Sequence, residues 1–343
     1  MKRLIIILIA FSLLVTGAIY LVLTKRDKRL RGVRKAAKFS SIQAALDDLP
    51  DSGGKVFVPA GTYTISKTIF LKNNQTLTGA GPSSIITTNV DNLILIHCKD
   101  ISIGEQGGAV ISNLQLLGKG TNPGPGIVVE NCHNVLIQNV RIIKTSYGIE
   151  FVATVSPSQH TDNNWIVNCY FGYTTSYGIY FHPELSPRAE CNVIQGNIFI
   201  RTGRTAIYIY PGKNNLIVGN QIEAAGAYGI FLRRGLRNTV TGNVVFASTK
   251  HGIYFRGQEG SVISSNTCYA NDYGGTGSYD GICLRFNADR NTIIGNTCFN
   301  NGRYGISIYS NDCDRNIILG NVANDNGVGQ IIDNGTNTDK DHN

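Results

Sequence analysis

Three arginines, Arg233, Arg256 and Arg285, each end a short run of the form Gly-Ile-x-Φ-Arg, where Φ is apolar. Related runs along the chain carry Tyr180, Tyr208, Tyr210, Phe231 and Tyr254 at neighbouring positions, and His182 and His251 stand beside them. Guanidiniums hold carboxylates through charge-assisted hydrogen bonds. Imidazoles titrate near neutrality and can move protons. Opening a uronic-acid polymer by β-elimination needs these types: a cation for the carboxylate, a base for the adjacent proton and an acid for the leaving oxygen. Candidate catalytic residues are therefore Arg256, Arg233, His182 and His251, with Tyr254 as a further proton-transfer candidate. Candidate substrate contacts are Tyr180, Tyr208, Tyr210, Phe231, Tyr254 and Arg285. The alternative for each histidine is a turn or rim position.

The elements that must position these residues are set by a repeat. A segment of the form Asn-x-(Ile/Val)-x-(Gly)-Asn ends at Asn139, Asn168, Asn197, Asn220, Asn243, Asn266, Asn296 and Asn321, with spacings of 29, 29, 23, 23, 23, 30 and 25. A second signal, x-Gly-Ile-x-Φ, runs out of phase with it as YGIEF, YGIYF, YGIFL, HGIYF, DGICL and YGISI, with AIYI at Ala206. Units this short, with three apolar runs broken by Asn or Gly, cannot bury an apolar face alone and must stack on their neighbours. A β-solenoid is predicted, because the Leu-rich ladder of the competing repeat class is missing. An Asn at each turn can bond the Asn one coil above, about 4.8 Å away, keeping a buried polar column satisfied.

In each x-Gly-Ile-x-Φ strand the period of two turns Ile and Φ inward. The residue after Ile then points out, giving Glu150, Tyr180, Tyr208, Phe231, Tyr254, Cys283 and Ser307 on successive coils. The residue after Φ gives Val152, His182, Tyr210, Arg233, Arg256, Arg285 and Tyr309. Stacked aromatics can simply stabilise an exposed sheet. The arginines ask for more, since guanidiniums one coil apart repel by about 0.9 kcal/mol per pair even in water's dielectric. Asp280 is the one carboxylate that the repeat sets beside this strand in these coils, so an acidic ligand is expected. Longer turns at 152–164, 182–191 and 271–280 project from the edges of the same sheet and would wall a groove.

On these motifs the chain resembles the right-handed parallel β-helix family, the fold of pectate lyases, polygalacturonases and other polysaccharide-modifying proteins. The resemblance covers roughly residues 39–335. Ser40-Ser41-Ile42-Gln43 reads as a capping box opening a short helix to Leu49, and GGKVFVPAGTYTI resembles the family's first strands. The resemblance implies a groove on one parallel sheet, lined by long turns, where lyases and glycosidases work. FHPE, from Phe181 to Glu184, is similar in part to the Asp-Pro-His element of β-helix mannuronan epimerases, with the order reversed. Polygalacturonase-like Asn-Thr-Asp, Asp-Asp and Gly-His-Gly elements are missing, which disfavours a hydrolase. The run from Gly274 to Asp280 resembles a single calcium nonapeptide turn with its Asp one residue late, making Asp272 and Asp280 candidate Ca2+ ligands.

Composition narrows the remaining classes. Of 31 Lys/Arg and 23 Asp/Glu, residues 1–38 hold ten and one, leaving 21 against 22 from Phe39 onward. A near-neutral body argues against a nucleic-acid partner. Leu4 to Leu23 is an uncharged apolar run long enough to cross a bilayer as a helix, and a cleaved signal peptide is its alternative. The reading is a membrane anchor over 1–24, a basic linker over 25–38, a parallel β-helix over 39–335 and a polar tail over 336–343. The solenoid is expected outside the cytoplasm, as a monomer, although eight basic residues from Lys25 to Lys38 outnumber Lys2 and Arg3 and oppose that orientation. The eight cysteines show no CxxC or zinc spacing and read as buried thiols. A non-catalytic glycan-binding or structural solenoid is the competing class.

Overall fold

The computed structural model describes residues 32–101, 107–153, 161–182 and 189–340. Within them the chain winds as an all-β, right-handed parallel solenoid of about eleven coils, each passing through three parallel sheets in turn. The first sheet runs from Val33–Lys35 to Ile317–Leu319, the second from Gly61–Ile65 to Val322–Asn324, and the third from Ile69–Leu71 to Gly329–Asp333. Val33–Lys35 pairs with Lys55–Phe57, so the first sheet begins inside the stretch read as linker. Asp314–Thr336 and Ile317–Asp339 bridges reach into the stretch read as tail. Among the described residues no helix is long and apolar enough to cross a membrane. The run from Leu4 to Leu23 lies outside the described residues.

The core follows from the period of two. In the third sheet Ile149, Phe151, Ile179, Phe181, Ile230, Leu232, Ile253 and Phe255 are all buried. Like side chains meet like across coils: Phe151 stacks on Phe181 at 4.1 Å and Phe171 on Phe199 at 4.6 Å. A Gly before most inward Ile residues of this sheet leaves room for the core, since a Cβ on Gly229 would lie 2.2 Å from the Val245 side chain. The helix Ile42–Asp47 covers the first coil with Ile42, Ala45 and Leu46. Its cap is Ser41, whose hydroxyl accepts from the Ala44 amide at 3.0 Å. Gln43 does not close a capping box. It binds the backbone of Phe70 instead, tying the helix to the first strand of the third sheet.

The polar column exists and is one of three among the described residues. Asn197, Asn220, Asn243, Asn266, Asn296 and Asn321 are linked by amide-to-carbonyl side-chain bonds of 2.9–3.0 Å. Each carbonyl oxygen also accepts the backbone N–H of the Asn one coil before it, as at Asn220 and Asn243. Leaving one such group unpaired would cost about 1–3 kcal/mol. Asn139 and Asn168 do not belong to this column. They sit one position earlier, at φ 54° and 53°, where later coils place Gly196, Gly219 and Gly242 at φ 63–64°. Cys169 fills the column position in its coil, and its amide donates to Asn197. Second and third columns run through Asn164, Asn192, Asn215 and Asn238, and through Asn271, Asn301 and Asn326.

Candidate functional site

The outer face of the third sheet gathers the expected residues. Tyr180, Tyr208, Phe231 and Tyr254 stand in register on successive coils, preceded by Glu150 and followed by Cys283 and Ser307. Arg233, Arg256 and Arg285 are in register beside them. A third outward column, from the residue before each Gly, was not anticipated: Tyr147, Tyr177, Tyr228, His251, Asp280 and Tyr304. Its signal was the Tyr-Gly-Ile tripeptide, which recurs at 147, 177, 228 and 304.

That third column closes the aromatic floor. Tyr180 packs face to face against Tyr147, Tyr177 and Tyr208 at 4.4–5.4 Å, and Tyr254 stacks on Phe231 and Tyr228 at 4.7 and 5.2 Å. Tyr208 is 7% exposed and Tyr254 5%. Sugar stacking needs a free ring face, whereas these rings spend their faces on one another and offer edges and hydroxyls. Burial pushes the Tyr180 and Tyr254 phenols above their ordinary range. The floor is thus a stacked wall rather than a set of open platforms.

His251 is also enclosed, at 3% exposure. Its Nδ1 accepts the Asp280 amide at 2.9 Å, and burial pushes its pKa down to about 3. A neutral imidazole with that nitrogen engaged is poorly placed to exchange protons with a ligand. His182 is half-buried, with its ring edge-on to Tyr180 at 5.5 Å.

Neither candidate calcium ligand is open. Asp280 receives Arg303 through both oxygens at 2.7 and 2.5 Å, the Ser307 hydroxyl at 2.6 Å and the Tyr304 amide at 3.1 Å. Burial alone would raise its pKa, but these donors outweigh it and hold the carboxyl below its ordinary value. Asp272 closes the 272–278 turn by accepting from Thr276 and Ser278. The turn is held by protein donors where the sequence suggested an ion.

The arginines differ from all of these. Among the described residues none of the three forms an ion pair, and the Nε atoms of Arg233 and Arg285 are buried without a hydrogen-bond partner. Rings support them instead: Arg233 lies 4.6 Å from the Tyr210 centroid, Arg256 4.3 Å from Phe286 and Arg285 3.7 Å from Tyr309. At about 0.5–1 kcal/mol each, such contacts offset part of the mutual repulsion. A cleft of about 440 Å³ opens here, lined by Arg233, Arg234, Arg256, Phe286, Asn287 and Asp312 among others. A larger cleft of about 790 Å³, between the capping helix and Tyr63–Phe70, is mostly apolar and lacks such a charge cluster.

Residues 106–279, half of the chain, match the family model described as periplasmic copper-binding protein (NosD). The chain belongs to the NosD family. In this NosD-family chain, residues 247–343 also match a model described as right handed beta helix region. The pre-neck appendage proteins of Bacillus phages phi29 and PZA are 27% identical to it over 36% of this chain and 18% of theirs, so the match spans under a fifth of their length. Among solved structures it resembles the catalytic domain of a GH87 alpha-1,3-glucanase in complex with tetrasaccharides, at 14% identity, TM-score 0.58, and 91% and 68% coverage of the two chains. It also resembles a mutant of the periplasmic alginate epimerase AlgG, at 14% identity, TM-score 0.60, and 90% and 82% coverage. At such identities these likenesses speak to the fold.

The family description raises copper. Among the described residues His251, Asp280 and Cys283 bring ligand atoms within 4.8 Å of one another. They do not fit the ion. The imidazole nitrogen and the carboxylate are both taken by protein donors, a guanidinium stands where a cation would, and burial pushes the Cys283 thiol up, disfavouring the thiolate that copper binds.

Proposed function

We propose that this chain binds and acts on an acidic, uronate-containing polysaccharide along the outer face of the third sheet, by lyase or epimerase-type chemistry. One observation carries the reading: three guanidiniums in register, one per coil, with no carboxylate partner among the described residues. A coil advances about 4.8 Å. An extended uronate chain laid along the solenoid axis would carry its carboxylates past these arginines. The glucanase and the alginate epimerase, whose fold this chain shares, lend support as proteins that work on polysaccharides. The apolar run from Leu4 to Leu23 supports a membrane tether that keeps the solenoid outside the cytoplasm.

A non-catalytic binder is the second reading, favoured by the enclosure of His251 and Tyr254 beside the arginines. Arg256→Ala tests what both share. Oligogalacturonate affinity, followed by calorimetry, is expected to fall more than tenfold with an unchanged circular dichroism spectrum. Unchanged affinity in a folded variant would remove the acidic ligand.

A further inference from the structure

Glu150 begins the aromatic column, in register with Tyr180 on the next coil and Val128 on the previous one. It is half-buried, and among the described residues it has neither an ion-pair nor a hydrogen-bond partner. One coil earlier the fold treats a carboxylate differently: Glu130 accepts from His97 at 2.9 Å and from Lys99 at 2.8 Å. Beside Glu150 stand the Tyr147 and Tyr180 phenols, and a cation lies beyond them. Tyr147, Tyr177 and Tyr180 stack on one another at 4.4–5.8 Å. Arg204 lies over Tyr177 at 5.9 Å, exposed and free of any carboxylate among the described residues. Burial raises Glu150 above the ordinary carboxylate range, as a proton acceptor for a weak acid requires. A buried carboxyl with no structural partner is costly to keep.

We infer that Glu150, Tyr180 and Arg204 form the reacting centre of this face, with Glu150 three coils or about 14 Å from Arg233 along the axis, and that it performs β-elimination on a uronate unit. The inference rests on the acidic-glycan reading above and assigns that site its chemistry. Arg204 holds the carboxylate of the reacting unit. The Glu150 carboxylate takes the C5 proton, and the electron pair left behind forms the C4=C5 double bond. The C4–O bond breaks, and the departing oxygen takes the Tyr180 phenol proton. Glu150 then returns its proton to the Tyr180 phenolate through solvent, so charge and atoms balance without a redox partner. The two groups sit on the same side of the bound chain, giving a syn elimination. The stacked wall positions the phenol, and the arginine ladder three coils on anchors the rest of the polymer.

The test uses the full chain with polygalacturonate and alginate, following ultraviolet absorbance of unsaturated ends and, separately, oligomer affinity. Glu150→Gln keeps the shape and is expected to lower elimination more than 100-fold with affinity within twofold. Tyr180→Phe keeps the ring stack and is expected to lower it more than tenfold. Retained elimination in either folded variant overturns the inference. Wild-type protein that binds an oligomer but yields no unsaturated ends also overturns it, leaving the acidic-glycan reading intact. Wild-type protein that binds neither polymer removes both. Should Glu150→Gln fail to fold, a carboxyl thought to be without structural partners would be structural after all, and the inference fails on that ground.

Discussion

The outward column that follows the inward apolar residue carries Lys99 and Glu130 in its early coils and Arg233, Arg256 and Arg285 in its late ones. In the early coils opposite charges sit in register and close on each other, with His97 joining the same carboxylate. In the late coils like charges sit in register under aromatic rings, and among the described residues none of them forms an ion pair. Both halves obey the same coil geometry, so backbone does not explain the contrast. A surface that had only to be soluble could repeat the early arrangement throughout. Charge left without ion pairs over three coils is costly to the fold, and the anionic ligand proposed above would offset that cost.

The strongest way to probe the contrast is to unpair a charge that the late half does compensate. Arg303→Leu leaves the Asp280 carboxylate buried with only Ser307 and a backbone amide to hold it. Breaking a buried pair from one side typically costs about 3–5 kcal/mol. Denaturant unfolding is expected to show a loss of that size, and a loss below about 1 kcal/mol would mean that the enclosure around His251 is not held by this pair.

The two halves also each bury a histidine. His97 is lowered by burial and partly restored by Glu130, while His251, accepting a backbone amide, is lowered to about 3. Its folded pKa lies below the unfolded value near 6.5, so the unfolded chain takes up the proton first. The stability that neutral His251 contributes is complete above pH 6.5 and is lost as pH falls toward 3, at up to about 1.4 kcal/mol per pH unit. His251→Gln, which can still accept from the Asp280 amide, is expected to flatten that slope. His97→Gln should leave it largely in place. Equal flattening by both would erase the distinction between the halves at this position.

Much of this was legible in the residues, and what was not has a common cause. The alternation in Gly-Ile-x-Φ fixes which side chains turn inward, and Ile230, Leu232, Ile253 and Phe255 are buried accordingly. The repeated Gly-Ile-x-Φ-Arg run brought Arg233, Arg256 and Arg285 together, although their spacings are 23 and 29. Register does not say which outward side chains cover one another. Tyr228 and Tyr177, arriving from the preceding turn, close the faces of Tyr254 and Tyr180, so the platforms expected there became a wall. Asp280 was noticed as a carboxylate near the arginines, yet its partner Arg303 lies on the next coil and meets it through the turn. Glu150 stands in the aromatic column by sequence alone; that nothing among the described residues pairs with it is visible only in three dimensions. Asn139 and Asn168 slipped by one position because Asn serves both the left-handed turn and the buried ladder.

The smallest effect on stability is also the one that separates fold from function most cleanly. Arg256 lies between Arg233 and Arg285, so Arg256→Glu turns three like charges into an alternating column, the arrangement that Lys99 and Glu130 already show. Two repulsions of about 0.9 kcal/mol become attractions. Against them stand the lost contact with Phe286 and the side-chain entropy of exposed pairs, which leave such bridges at about 0–1 kcal/mol. The melting temperature is expected to rise slightly at low salt and to converge with wild type at high salt, where screening removes the difference. Binding of oligogalacturonate should vanish. A variant more stable than the natural protein yet unable to bind would show that the arginine ladder is kept at the fold's expense for its ligand. A destabilised variant would mean that the aromatic contacts outweigh the repulsion and that the ladder needs no anion.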